Sequence, residues 1–243
     1  MAAEAPEQRP RILVVDDEPQ IVRALKVVLR EAGFETVAAE TASQALDLAA
    51  VHPPEAAIVD LVLPDGDGVE VTRTLRQWSE MPILVLSAVG EEEQKVRALE
   101  AGADDYITKP FRIRELTARI RAAVRRRRTP PSAVKAAIRV GVFELHPDRR
   151  LAMKRGERIH LTPTEFDLLT VLMTNAGHPI PHAKLLSTVW GAEYGKEREY
   201  LRTFILQLRR KLEDDPANPA YLQTVSYLGY VFFDPTKDGD QRR

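Results

Sequence analysis

Residues 11–20 read RILVVDDEPQ: an apolar run rich in β-branched side chains, then two carboxylates, then a proline at position 19. A short apolar run closed by polar residues fits a strand buried on both faces, and Pro19 suits the first turn of a helix. The helix pattern follows in PQIVRALKVVLREAG at 19–33, with Gly33 placed where a helix stops. Outward from there the alternation repeats. Strand candidates ETVAA (35–39), EAAIVD (55–60), PILVLS (82–87) and DDYIT (104–108) are interleaved with helix candidates SQALDLAA (43–50), GVEVTRTLRQW (68–78), EEEQKVRALEAG (91–102) and IRELTARIRAAVRRR (113–127). Five strands, each followed by a helix, predict a doubly wound five-stranded parallel sheet of flavodoxin-like α/β type over residues 9–127. Asp65-Gly66-Asp67-Gly68 lacks the acidic residue that closes a calcium loop and is read as a turn opening the third helix.

Past residue 127 the pattern breaks. Two adjacent prolines and small residues, with few large apolar groups, make 128–137 a linker. The second half is of a different class, α+β, over residues 138–235. Short strand-like pieces (IRVGVFEL, RRLAMK, RIHLT) precede three helical stretches, TPTEFDLLTVLMTNAG, HAKLLSTVWG and REYLRTFILQLRRKLED, and YLQTVSY with GYVFF closes it as a hairpin. That order describes a winged helix-turn-helix, whose third helix enters the DNA major groove and whose hairpin is the wing. Residues 1–8 and 236–243 are expected to be disordered.

Composition narrows the classes. A chain of 243 residues with 44% hydrophobic and 29% charged residues has room for two packed cores, and no apolar run is long enough to cross a bilayer. With no cysteine there are no disulfides, thiolate nucleophiles or zinc-thiolate sites, and the N-terminus lacks the order of a secretory signal, so a cytoplasmic protein without a membrane partner is expected. The net charge of −1 hides an uneven distribution: acidic pairs at Asp16-Asp17 and Asp104-Asp105, basic runs at 125–128 and 209–211.

In an open parallel sheet, ligands collect at the carboxyl ends of the strands. Asp16, Asp17 and Asp60 close two strands there, Ser87 closes a third, and Lys109 follows a fourth. Carboxylates gathered in this way need a cation, and hard oxygen ligands with incomplete protein coordination suit Mg²⁺. A carboxylate beside a divalent ion can act as a nucleophile toward a phosphoryl group. Asp60 is the candidate acceptor. Asp17, Asp60 and the Val62 carbonyl would bind the metal directly and Asp16 through water, while Lys109 and Ser87 would meet the phosphoryl oxygens. An acidic pair alone is more often a helix cap than a metal site.

Taken in order, Asp16-Asp17, Asp60, Ser87, Tyr106 and Lys109 resemble the signature of response-regulator receiver domains. LTPTEFDLL, KLL with VWG, LRRKLED and the closing GY resemble the effector domain of the OmpR/PhoB-like subfamily. Tyr200-Leu201-Arg202, followed by LEDDPANP, resembles the KdpE branch, whose members control potassium-transport operons. The resemblance implies a transcriptional regulator rather than an enzyme, phosphorylated by a cognate sensor histidine kinase and binding promoter DNA. Ser87 and Tyr106 would be its switch pair, and Lys109-Pro110 would be cis. It also implies a homodimer through the fourth helix, fifth strand and fifth helix, drawing on Lys95, Glu100, Asp104, Asp105, Glu115, Arg119, Arg121 and Arg126. The preferred pairs between protomers are Lys95 with Glu115 and Asp105 with Arg119. Ordinary exposed helix charges are the alternative.

For DNA, Leu201, Ile205, Leu208 and Leu212 recur at helical spacing as a core stripe, which leaves Tyr200, Arg202, Thr203, Gln207, Arg209 and Arg210 facing outward. Arg202, Thr203 and Gln207 are the candidates for bases, and Arg209 and Arg210 for phosphates. Trp190 is a backbone contact or core. Thr224, Ser226 and Tyr230 serve the wing, where Ser226-Tyr227 stands in place of the basic residue and glycine of many members. The resemblance assigns AEYGKERE (192–199) to RNA polymerase, and a solvated connector is an equal alternative. Two other readings stay open: a phosphohydrolase, disfavoured because apolar Leu61 and Val62 follow Asp60, and a constitutive DNA-binding protein with a silent receiver.

Overall fold

A computed structural model describes residues 9–88, 92–128, 136–191, 194 and 198–236. They divide into two compact units, the first running to Arg125 and the second from Arg126.

The first unit is built from strands β1 (Arg11–Val15), β2 (Glu35–Ala39), β3 (Ala56–Asp60), β4 (Ile83–Ser87) and β5 (Asp105–Thr108). Helices α1 (Pro19–Glu31), α2 (Ala42–Val51), α3 (Gly68–Arg76), α4 (Glu92–Glu100) and α5 (Ile113–Arg128) alternate with them. The sheet order is β2-β1-β3-β4-β5, every pair parallel, so the expected doubly wound sheet is present. Every residue of β3 and β4 is buried, as central strands covered on both faces require. Val22, Leu25 and Leu29 lay the apolar stripe of α1 on this core, with Ile12, Val14, Ile58 and Leu84 beneath it. Asp67 caps α3 by accepting from the Val69 N–H at 2.8 Å, so the segment does open the third helix, but Gly66-Asp67 pairs with Val62-Leu63 as a short antiparallel ladder rather than forming the turn itself. Asp65 accepts from the Ala42 and Ser43 N–H groups at the start of α2.

The second unit opens with an antiparallel sheet of β6 (Ile138–Val140), β7 (Phe143–His146), β8 (Leu151–Lys154) and β9 (Glu157–Ile159). Helix α6 (Pro163–Thr174) begins with a reciprocal capping box between Thr162 and Glu165. Helices α7 (His182–Val189) and α8 (Arg198–Leu212) follow, and then the hairpin of β10 (Leu222–Val225) and β11 (Gly229–Phe232). The sequence pattern missed one pairing: Ile180–Pro181 adds an antiparallel edge to β11. A Cβ on Gly229 would lie 1.9 Å from the Ile180 carbonyl oxygen, so only glycine permits that approach. Three helices and a terminal hairpin make this unit a winged helix. Of the expected linker, 129–135 lie outside the described residues, as do 1–8 and 237–243.

Candidate functional site

The carboxyl edge of the first sheet gathers the acidic residues. Asp16 is fully buried past the end of β1, its backbone N–H donating to Ala39. Its Oδ1 accepts from the Glu18 N–H at 2.9 Å and its Oδ2 from Lys109 Nζ at 3.0 Å. Asp60, at the end of β3, accepts from the same ammonium at 2.9 Å. Asp17 is exposed at the rim, and carboxylate oxygens of Asp16, Asp17 and Asp60 all lie within 4.8 Å of one another. That donor set of hard oxygens fits a divalent cation such as Mg²⁺. Val62, whose carbonyl was the fourth expected ligand, sits on an exposed two-residue ladder facing Asp67.

Electrostatics support such a site. Burial raises the Asp16 carboxyl above its ordinary 3.8, and the hydrogen bonds from Lys109 and Glu18 only partly offset that. Burial also works against the Lys109 ammonium. Its hydrogen bonds to Asp60 and Asp16 outweigh that, and Lys109 is held charged well above the ordinary lysine range. Ser87 ends β4 one residue beyond Leu86, the strand partner of Asp60. It is 1% exposed, and its hydroxyl has no hydrogen-bond partner among the described residues. An orphaned buried hydroxyl beside a carboxylate and an ammonium is the mark of a group waiting for a ligand. The backbone here is tightly set. A Cβ on Gly68 would lie 2.0 Å from the Asp60 carbonyl oxygen, and the Lys109-Pro110 bond is cis, as expected.

Sequence reasoning missed Glu18, whose Oε1 lies 3.4 Å from Lys109 Nζ. Its only signal was its position, next after the acidic pair.

The fourth-helix and fifth-strand face differs from expectation in its pairing. Tyr106 is half-buried on β5, with Lys95 Nζ 5.1 Å from its ring centre. Lys95, Asp104 and Asp105 are buried rather than exposed. Asp104 is engaged inside the fold by Arg76 and by the Ile83 N–H at 2.9 Å, because Arg76 reaches across from α3. Asp105 and Arg119 do pair, at 2.9 and 3.1 Å, but within one chain, and Arg119 also holds Glu115 at 2.7 Å. Arg121 turns toward the Ala32 carbonyl, at 3.4 Å, away from that face. Glu100 is exposed at the end of α4, and Arg126 lies in the last turn of α5, at the start of the second unit.

In the winged unit four expected DNA contacts are core instead. Trp190, at 2% exposure, packs its ring 5.0 Å from Tyr200 and 5.2 Å from Phe204, so both Trp190 and Tyr200 belong to an aromatic cluster. Gln207 is buried on the inner arc of α8. Tyr230 is buried against His182, and burial raises its hydroxyl pKa. Arg209 is not turned to solvent: its Nε donates to the Leu222 carbonyl at 2.9 Å and its Nη2 to Thr224 Oγ1 at 2.8 Å, tying α8 to the hairpin. Thr203 is half-buried and bonds back to the Glu199 carbonyl at 3.2 Å. Arg202, Arg210, Thr224 and Ser226 are exposed, together with Leu206 at 41%, which polarity-based reasoning overlooked. Of 192–199, positions 192, 193 and 195–197 lie outside the described residues. Among the described residues no helix is long and apolar enough to cross a membrane.

Comparison with known proteins agrees with this geometry. Residues 12–121 match the response regulator receiver domain, and residues 156–232 match the C-terminal domain of transcriptional regulatory proteins. Over 221 residues the chain is 46% identical to the transcriptional regulatory protein KdpE of Mycobacterium tuberculosis, covering 91% of this chain and 98% of that one. It is 44% identical, with the same coverage, to the KDP operon transcriptional regulatory protein KdpE of Escherichia coli. The structure of DrrB, an OmpR/PhoB homolog of Thermotoga maritima, superposes with a TM-score of 0.51 at 29% identity, covering 93% of this chain and all of that one. With a receiver unit, a winged-helix unit and KdpE proteins among its relatives, the chain belongs to the two-component response regulators of the OmpR/PhoB type.

Proposed function

We propose that Asp60 accepts a phosphoryl group from a cognate sensor histidine kinase, and that the phosphorylated chain binds promoter DNA of a potassium-transport operon. The observation that carries the reading is the unpartnered Ser87 hydroxyl beside the Asp60–Lys109 pair. A carboxylate oxygen of Asp60 attacks phosphorus, the donor's P–N bond breaks, and the imidazole leaves. Lys109, already charged between Asp60 and Asp16, pairs with a phosphoryl oxygen, and Ser87 donates to another. Asp16, Asp17, Asp60 and the Val62 carbonyl are the residues that would hold Mg²⁺, which would supply neutralisation of phosphoryl charge. The shift of Ser87 opens space beside the half-buried Tyr106, and the receiver face around Arg119 then joins a second protomer.

The operon reading rests on the similarity to KdpE. DNA contact would come from the exposed Arg202 and Arg210 with the wing residues Thr224 and Ser226. The segment 192–199 is assigned to RNA polymerase by family resemblance, and a cytoplasmic location fits all these partners.

Binding of the full chain to its host's potassium-transporter promoter, with and without beryllofluoride and Mg²⁺ at fixed salt, tests the proposal. Tighter binding with the phosphoryl mimic, abolished in Asp60→Ala, is expected. Equal binding in both states makes the chain a constitutive DNA binder, and binding to other promoters alone removes the operon assignment.

A further inference from the structure

The tip of the hairpin holds a residue that its own fold does not explain. Val225 pairs with Gly229 across the hairpin, leaving Ser226-Tyr227-Leu228 as the loop, closed by the Leu228 N–H donating to the Val225 carbonyl at 3.1 Å. Tyr227 sits in that turn at φ +65°, in the left-handed region that disfavours a bulky side chain and favours glycine or asparagine. Its relative exposure is 103%, so packing within the chain does not offset the strain. Beside it Leu228 is 41% exposed, which gives the loop an aromatic and an aliphatic side chain in solvent where polar residues or glycine would be easier to hold. Strain kept without internal compensation points to a use outside the chain.

The position of the loop identifies the partner. Arg209 clamps β10 to α8 through the Leu222 carbonyl and the Thr224 hydroxyl, and the Leu228 carbonyl accepts from the His182 N–H at the start of α7. The tip is thus held on the same unit and by the same helix that exposes Arg202, Leu206 and Arg210. A cationic helix face fixed to an apolar tip matches duplex DNA, whose phosphates meet the cations and whose minor groove is walled by apolar deoxyribose edges. We propose that Tyr227, backed by Leu228, is a DNA-contacting tip that lies against those walls and supplies affinity without charge. The proposal rests on the reading of the winged unit as DNA-binding and adds the wing's mode of contact: apolar in this chain, where a cation would otherwise serve.

Two consequences of opposite sign separate this role from a structural one. Tyr227→Gly removes the strained side chain, so the thermal midpoint of the winged unit rises, while affinity for DNA falls about tenfold. Because no charge is lost, the slope of log affinity against log salt stays unchanged, whereas loss of a phosphate contact lowers it by about 0.9. Tyr227→Asn, which tolerates the same backbone, behaves as Tyr227→Gly does, and Tyr227→Phe keeps most of the affinity. The measurement is fluorescence anisotropy of the full chain, with beryllofluoride and Mg²⁺ present, on a short random-sequence duplex and on the promoter duplex, at several salt concentrations, with thermal melts alongside. A raised midpoint with unchanged affinity on both duplexes overturns the proposal. So does a reduced salt slope, or a loss of self-association in place of DNA binding. No binding of either duplex by the wild-type chain overturns the DNA-binding reading itself along with the proposal.

Discussion

Lys109 Nζ lies 2.9 Å from Asp60 Oδ2 and 3.0 Å from Asp16 Oδ2, so one ammonium holds both buried carboxylates. The proposed acceptor is therefore poised against a fixed cation, and whatever enters the pocket competes for the same three charges.

The Asp16 carboxyl gives that competition a pH dependence. Its folded-state value is raised, so its contribution to stability is complete below its ordinary 3.8 and is lost as pH rises through the raised value. Mg²⁺ acts in the opposite direction, because it binds the ionised carboxylate. At a hundredfold excess over its Kd it should add about 2.7 kcal/mol at neutral pH. That increment shrinks as the pH falls back through the Asp16 range. Asp16→Asn should raise the metal-free midpoint at neutral pH and lose most of the Mg²⁺ increment. Thermal melts across pH with and without Mg²⁺ measure both, and a Mg²⁺ increment that survives in Asp16→Asn would remove Asp16 from the site.

Arg119 bridges Asp105 and Glu115 within the chain, so the proposed pairing of Asp105 with Arg119 between protomers would require it to exchange partners. Arg119→Ala takes the guanidinium away from the buried Asp105, costing the receiver on the order of 3 kcal/mol. Glu115→Gln, at a more exposed carboxylate, should cost at most about 1 kcal/mol of monomer stability. If the exchange occurs, each variant weakens the dimer formed with beryllofluoride by about tenfold. Sedimentation equilibrium reads the dimer and urea melts read the monomer. A Glu115→Gln chain that dimerises normally would place the interface elsewhere.

Trp190 is the centre of an aromatic cluster rather than a surface residue. Trp190→Ala should cost the winged unit about 3–5 kcal/mol, by the usual scale for deleting a buried aromatic. Chemical denaturation followed by circular dichroism checks this. A loss under about 1 kcal/mol with a large fall in DNA affinity would restore the backbone-contact role.

Arg209 and Arg202 should weaken DNA binding for different reasons. Arg202 is exposed, and Arg202→Ala should reduce the salt slope by about 0.9. Arg209 spends its hydrogen bonds on Leu222 and Thr224, so Arg209→Ala loosens the hairpin and lowers affinity with little change of slope. Thr224→Val, which removes one of those bonds, should reproduce a fraction of the effect, on the order of 1 kcal/mol. Affinities measured across salt separate the two arginines.

Much of the receiver was legible because its chemistry lies at strand ends, where period and polarity change together. RILVVDD and AAIVD announce both the strand and the carboxylate that leaves it, and the pairing with Lys109 follows once the sheet is parallel. The charge pairs of the outer face were not legible in the same way. Asp105 and Arg119 are 14 residues apart, and whether they meet within one chain depends on how α5 lies along the sheet edge. In α8 the error lay in the width of the buried arc. Leu201, Ile205, Leu208 and Leu212 form one stripe, but Tyr200, Phe204 and Gln207 form a second beside it. Tyr200 and Gln207 were assigned outward on polarity alone. The Tyr200–Phe204 spacing of four held the correction, since it aligns two rings that Trp190 then covers.

The stranded Ser87 hydroxyl bears on how hard the receiver is to turn on. A buried polar group without a partner lifts the state that contains it by on the order of 1–3 kcal/mol. Carrying a two-state population from 1:99 to 99:1 takes about 5.5 kcal/mol of differential affinity. If the proposed phosphorylation gives that hydroxyl its partner, relief of the penalty supplies part of that differential affinity. A variant in which Ser87 found a resting partner would be quieter, and would need a stronger stimulus to respond.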